Sequence, residues 1–575
     1  MRINTLLISF LWLAMTVGTT APAVGQISHG GRPLYAGVAA PKGALSPTLV
    51  APPVDNEALI DEDMNHPEAG SPMRIGVVKT LNADIMQKAQ QLTQKDGSVV
   101  RRIAIAAPGA NFMSLTFDQF ELPLGAELFI YDASGRFVIG RFVGSDVKKD
   151  GSFYTQAIPG DLCYLEYREP AEVAGLGKLH LTDVMHGYKD LFGDVLEHID
   201  QSGEAERDAL DELEMQGKGA LGNSEGSCHI DVACPEGRNW SNQIRSVAAY
   251  VLRIGYSGYY CSGALINNTR NDKTPYFLSA YHCQAPGTVV QWTFYFNYQA
   301  SSCNAKDGPI TNTITGATIR AKYKTGDGSD MLLLELDQAV PESYNPYYAG
   351  WSRSSDDWTV GCGIHHPGGD EKKISIPKQV SQGVGTTNAD NNTTLALKNF
   401  IRADWQNKGV TEGGSSGSAL FNKNGQIIGQ LFGGNSSCSN TLGRDYYGQI
   451  AVSWEGDGTK ATRLKDWLDP TGSDAVSLSG YGMDASGSDT LNWDVETLTA
   501  YPNPTDGSRF QVQANDSGSA VYYVYSMDGH LMRTGDLNLT PAVQSINLLG
   551  LRNGAYYVAV VVNKKRYGNI IVVAK

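Results

Sequence analysis

Residues 277–283 read Phe-Leu-Ser-Ala-Tyr-His-Cys, and residues 413–419 read Gly-Gly-Ser-Ser-Gly-Ser-Ala. The first is an apolar strand pattern that ends on a histidine beside a cysteine. The second is a serine set in a tight glycine turn. Glycine lets the backbone turn its N–H groups inward, so Ser416 can present a hydroxyl beside donors for an oxyanion. His282 can serve as base for that hydroxyl if its loop is pinned. Alone, the glycine-serine string reads equally well as a flexible loop, and a lone histidine is more often structural. Together they point to acyl transfer by serine.

Cys261 lies in Gly258-Tyr259-Tyr260-Cys261-Ser262-Gly263-Ala264-Leu265-Ile266. A Cys261–Cys283 bridge would clamp the histidine loop against this neighbouring strand. The base also needs an orienting carboxylate that can be buried, so it should adjoin an apolar strand. Gly328-Ser329-Asp330-Met331-Leu332-Leu333-Leu334-Glu335-Leu336 offers Asp330. Asp327 and Asp337 are rivals, one in a glycine turn and the other at the far end of the strand. The order is then His282, Asp330, Ser416, with the N–H groups of Gly414 and Ser416 as the oxyanion hole.

A chain of 575 residues holds two to four domains. Its 64 glycines and 18% charged residues favour a β-rich, turn-rich architecture. A net charge of −14 argues against nucleic acid as a partner. Arg2, the apolar run Leu6 to Val17 and the small residues of Ala21-Pro22-Ala23 form a secretory signal peptide over 1–25. Export favours disulfides. Of eight cysteines, seven (228, 234, 261, 283, 303, 362 and 438) fall in one block and Cys163 stands upstream, an odd number that leaves connectivity open. No pair has the CxxC spacing of a zinc site. His365 and His366 are adjacent, so on a strand they would face opposite ways; they are assigned to a structural loop. No cofactor or metal is expected.

Residues 26–75, rich in Pro, Gly and Ala, read as an extended lead-in. Short strands at 99–105, 127–131 and 136–139 between turn residues suggest a β-sandwich. An acidic, linker-like stretch follows at 197–216. These make up a pro-region over 26–218. A strand-rich block over 219–475 carries the motifs and closes on a short helix at Arg463–Leu468. A Gly/Ser/Asp linker over 476–490 leads to a small β-sandwich at 491–575.

The block 219–475 resembles the chymotrypsin-like peptidases and, among them, the bacterial lysyl endopeptidases. Three strings carry the likeness: Gly226-Ser227-Cys228-His229-Ile230-Asp231-Val232-Ala233-Cys234-Pro235-Glu236-Gly237, Ile364-His365-His366-Pro367 and Gly429-Gln430-Leu431-Phe432-Gly433-Gly434. The resemblance implies an all-β chain with two six-stranded barrels and the triad in the cleft between them. It implies the pairings Cys228–Cys438, Cys234–Cys303 and Cys261–Cys283, which leave Cys362 a buried free thiol. Trypsin-like enzymes carry their pocket Asp six residues before the nucleophile, where this chain has Val410. The resemblance implies that Asp445, in Gly443-Arg444-Asp445-Tyr446-Tyr447-Gly448, binds a lysine ammonium instead, with Gly433 and Gly434 as substrate-binding neighbours.

Two positions depart from relatives. Phe432 stands where the family often has histidine. Ser415 stands where many animal relatives have the Asp that captures a freed N-terminus, so activation should come from removal of the pro-region. The Lys218-Gly219 bond would suit self-processing. The C-terminal sandwich resembles the sorting domains of type IX secretion cargo through Tyr501-Pro502-Asn503-Pro504, Val524-Tyr525-Ser526-Met527-Asp528-Gly529 and Leu551-Arg552-Asn553-Gly554-Ala555-Tyr556-Tyr557. That implies passage through the outer-membrane secretion machinery of a Gram-negative bacterium, then release or surface attachment. The expectation is a monomeric secreted serine endopeptidase that cleaves protein or peptide substrates after lysine through an acyl-enzyme. Its rivals are a trypsin-like Lys/Arg peptidase and a catalytically silent adhesin on the same fold.

Overall fold

The computed structural model describes residues 31–36, 49–65, 72–148, 151–191, 228–284, 291–324, 328–388, 394–482, 496–506, 510–513, 517–526, 531–540, 544–546, 548, 551–562 and 565–574. The signal peptide, the acidic stretch 197–216, Lys218 and Asp327 lie outside them. The chain divides into two compact units, Met1–Met483 and Asp484–Lys575.

Most of the described elements are strands. In the first unit, one sheet orders Leu49–Val50, Val99–Ala106, Leu162–Glu169, Glu127–Asp132 and Val138–Phe142 side by side. A second sheet carries Met73–Asp84, Lys178–Gly187 and Phe112–Glu121. Their apolar faces meet over Ile103, Ile105, Leu165, Phe117, Leu181 and Val184, the sandwich that the strand spacing predicts. The segment read as an extended lead-in contains a helix, Asn56–Asn65. Asp55 accepts the Ala58 N–H at 3.0 Å, Glu57 lies in the first turn, and Arg74 holds Asp63 at 2.8 Å. A capped helix start and a tertiary ion pair thus override the local Pro and Gly content.

The second sheet runs on into a barrel. From Thr313–Thr315 the order is Gln291–Phe296, Val247–Ile254, Ser257–Leu265, Tyr276–Ala280, Met331–Leu336 and Ala317–Tyr323. Only Gly316 separates the first and last of these strands, so a bend there closes the barrel around Tyr250, Phe277, Trp292, Phe294, Leu332 and Leu334. The second barrel orders Lys373–Ser375, Cys362–His365, Ala419–Phe421, Ile427–Gly434, Arg444–Gln449, Phe400–Asp404 and Gln379–Gln382. Its core holds Trp405, Val410, Leu420, Leu431 and Tyr447. The closing helix starts two residues later than the sequence suggests, Lys465–Leu468.

The C-terminal unit has a five-stranded sheet, with Lys565–Val573, Gly554–Val562 and Gly518–Ser526 at its centre, and a three-stranded sheet of Thr499–Tyr501, Phe510–Gln513 and Gln544–Ile546. They share a core of Leu498, Phe510, Val524, Val558 and Ile571.

Candidate active site

His282 sits in the 3-10 turn Tyr281–Cys283, directly after the strand Tyr276–Ala280. Asp330 sits just before the neighbouring strand Met331–Leu336 and is fully buried. One carboxylate oxygen of Asp330 lies 2.7 Å from His282 Nδ1; the other accepts the His282 backbone N–H at 3.0 Å. The Asp330 carbonyl accepts the Tyr281 N–H at 2.8 Å. Asp330 takes a positive φ of 56°, a strained conformation for a side chain of this kind, and these contacts hold it there. Since a carboxylate only accepts, the proton on Nδ1 faces Asp330 and Nε2 is the basic nitrogen. Nε2 is buried with no hydrogen-bond partner among the described residues. The rival Asp337 lies at the surface 3.7 Å from Lys148.

Cys261 and Cys283 are bonded, so the histidine turn is fixed to the strand Ser257–Leu265. The other bridges are Cys228–Cys438 and Cys234–Cys303; Cys163 and Cys362 are buried free thiols, their pKa pushed up by burial.

The Ser416 turn packs against the same strand ends. The Ser262 N–H donates to the Ser416 carbonyl at 2.9 Å. Gly417 has a φ of +83°, and a β-carbon there would lie 2.0 Å from Ser279 Oγ. At Gly414, with a φ of +93°, a β-carbon would lie 2.8 Å from the His366 carbonyl. Both positions therefore demand glycine. Gly413 O accepts from Gly368 N–H at 2.6 Å and Gly414 O from Ser262 Oγ at 2.9 Å. With both carbonyls directed to these donors, no protein acceptor among the described residues takes the N–H of Gly414 or Ser416.

Asp445 is 1% exposed, on the strand Arg444–Gln449. One of its oxygens accepts from Trp405 Nε1 at 2.6 Å, from Thr411 Oγ1 at 2.7 Å and from Ser436 Oγ. The other accepts the Ser436 N–H at 3.3 Å. Among the described residues no Lys or Arg pairs with it. Burial raises its pKa above the usual carboxylate value, opposed by these hydrogen bonds. Gly434 lies over it, where a β-carbon would come 2.3 Å from Asp445 Oδ1; at Gly433 a β-carbon would meet open space. Val410 is buried in the barrel core. Phe432 meets the His282 ring edge-on at 5.7 Å.

Trp405, Thr411 and Ser436 are missed by sequence reasoning, because no local spacing links three segments to one carboxylate. His365 is mislocated by it. It ends the strand Cys362–His365 and reaches the Ser416 turn, with Nδ1 2.8 Å from Ser415 Oγ. Cys228, His229 and Cys438 come together as metal ligands would, but the two sulfurs are bonded to each other.

Residues 221–448 match the family described as lysyl endopeptidase, C-terminal domain, and residues 499–574 match the secretion system C-terminal sorting domain. A lysyl endopeptidase of Pseudomonas aeruginosa is 28% identical over 399 residues, 65% of this chain and 77% of that one. Among solved structures, protease Anisep from Arthrobacter nicotinovorans is 16% identical, with a TM-score of 0.27 over 38% of this chain and 95% of its own. A Glu endopeptidase is 18% identical, with a TM-score of 0.26 over 39% and 92%.

The chain is a serine endopeptidase built on a pair of β-barrels. Residues 221–448 are similar to the lysyl endopeptidase C-terminal domain, and residues 499–574 are similar to a secretion-system sorting domain.

Proposed function

We propose that this secreted peptidase cleaves on the carboxyl side of lysine through an acyl-enzyme. The observation that carries the specificity is Asp445: a buried carboxylate that accepts four hydrogen bonds and has no cationic partner among the described residues. An unpaired buried charge is costly, and a substrate ammonium would repay that cost. A β-carbon at Gly434 would fill the space beside Asp445 Oδ1, so glycine keeps the approach open to a long unbranched side chain. An ammonium suits a compact cluster of acceptors better than a planar guanidinium does.

Ser416 Oγ attacks the scissile carbonyl and passes its proton to His282 Nε2, while Asp330 stabilises the imidazolium through Nδ1. The N–H groups of Gly414 and Ser416 receive the oxyanion. His282 then protonates the leaving amine, and water resolves the acyl-enzyme by the same route. Nε2 has no partner among the described residues, and bonds of this kind tighten when substrate binds. The test is a peptide library cleaved by parent and Asp445→Ala, with a fluorophosphonate to label Ser416. Retained lysine preference in the variant would refute the pocket; arginine cleaved as well as lysine would favour the trypsin-like reading.

We read residues 26–218 as a pro-region, with 219–475 as the peptidase, 476–490 as a linker and 491–575 as the sorting domain. Support comes from the strand Met73–Asp84, which adds antiparallel to Ser257–Leu265 with Met73 opposite Tyr260 and Arg74 opposite Tyr259. A β-carbon at Gly413, two residues before Ser415, would lie 3.6 Å from Met73 Sδ. The pro-region thus stands beside the nucleophile turn, and its removal would open the cleft. Maturation of Ser416→Ala at the Lys218-Gly219 bond, with no other peptidase present, would refute self-processing. The sorting domain leads to export, followed by release or retention at the outer surface.

A further inference from the structure

Ser415 cannot form the carboxylate latch that animal relatives use, and the structure holds a different partner for it. Its hydroxyl lies 2.8 Å from His365 Nδ1 and 3.2 Å from the Glu412 N–H. His365 Nε2 lies 2.8 Å from Ser375 Oγ, and that hydroxyl donates to the Val410 carbonyl at 2.9 Å. His365, Ser375 and Ser415 are all fully buried.

The proton positions follow from satisfying every group. Ser375 spends its proton on Val410 O, so its oxygen must accept, and His365 Nε2 carries hydrogen. His365 Nδ1 is then an acceptor and takes the Ser415 proton, while Ser415 Oγ accepts the Glu412 N–H. One neutral tautomer satisfies the whole chain. Burial pushes the His365 pKa well below its ordinary value, in keeping with a neutral ring. The two ends of the chain hold Val410 and Ser415, which flank the segment leading into Ser416. Glu412 is held in addition by His229 Nε2 at 3.1 Å and by the Cys438 N–H at 2.9 Å.

We propose that His365 is a positioning residue for catalysis: a neutral imidazole bridging Ser415 and Ser375 that locks the nucleophile turn from behind, with Gly414 and Ser416 N–H aimed for the oxyanion. The proposal rests on the reading of Ser416 as nucleophile. All of its contacts are made with the strand Met73–Asp84 still paired to the barrel. The turn is therefore formed before processing, and no freed N-terminus is required to build it.

The test compares the full chain with Ser415→Ala and with His365→Gln, each processed identically by an added peptidase. Ser415→Ala removes one hydroxyl and little volume, so it guards against a His365 variant that fails to fold. For both, kcat on a lysyl peptide should fall about 10- to 100-fold per titrated active site with KM within about twofold, the pattern of an interaction needed only in the transition state. Fluorophosphonate labelling of Ser416 should slow in parallel. The double variant should be no worse than the poorer single one. Unchanged kcat per titrated site in Ser415→Ala, with only a lower melting temperature, would reduce the chain of hydrogen bonds to a structural role and overturn the proposal. Failure of the parent itself to label at Ser416 would overturn the nucleophile reading, and this one with it.

Discussion

Two buried aspartates, Asp330 and Asp445, are equally withdrawn from water and differently supported. Asp330 faces an ionisable partner: His282 Nδ1 stands 2.7 Å away and the backbone at 281–282 holds it in place. Among the described residues, Asp445 faces only neutral donors, from Trp405, Thr411 and Ser436. Neutral donors solvate a carboxylate without cancelling its charge. The contrast separates two uses of the same side chain. Under the proposed function, Asp330 serves a cation that the protein makes for itself during the reaction, and Asp445 one that arrives from outside.

The sharpest way to break this contrast is at Asp330. Asp330→Asn keeps the shape but offers His282 Nδ1 the wrong tautomer, so kcat should fall about 10⁴-fold with KM nearly unchanged, as measured by steady-state peptide hydrolysis. Asp445→Asn should lower kcat/KM for lysyl peptides by about 10²- to 10⁴-fold through loss of a buried ion pair, while fluorophosphonate labelling of Ser416 stays near the parent rate. If both substitutions slow labelling equally, the two aspartates do not have separate tasks. Replacing Cys261 and Cys283 together by alanine should cost about 2–5 kcal/mol in denaturant titrations, with activity lost earlier than bulk structure because the His282 turn loses its clamp. The smallest effect concerns a third carboxyl. Glu371 is buried, and burial raises its pKa to about 7. A raised carboxyl pKa stabilises the fold at low pH, and that contribution is lost as pH rises through 7. Glu371→Gln should therefore flatten the dependence of melting temperature on pH between the ordinary carboxylate range and 7.

Much of this was legible in the chain because its signals are local. An apolar strand followed by Tyr281-His282-Cys283, and a glycine-bracketed Ser416, state their chemistry within seven residues each. Asp330 announced itself by adjoining Met331–Leu336. The supports of Asp445 and of Ser415 were not legible, since Trp405 and Thr411 lie 40 and 34 positions from Asp445 and His365 lies 50 from Ser415, brought together by barrel closure. His365 shows the limit well. Alternation along a strand indicates only that His365 and His366 face opposite ways, and it carries no information on which loop either will meet. The helix Asn56–Asn65 was hidden for a related reason: it is fixed by Arg74 from outside its own segment.

The pairing of Met73–Asp84 with Ser257–Leu265 has a consequence for handling during export. Residues 257–260 form a sheet margin whose N–H and C=O groups would otherwise be bare. Bare margins recruit strands from other molecules and drive aggregation. While Met73–Asp84 stays in place, that margin is capped by the chain's own backbone. Removal of residues 26–218, as proposed, would leave it unpaired beside the Ser416 turn, so the step that frees the cleft would also create an adhesive edge that a substrate's extended backbone can take.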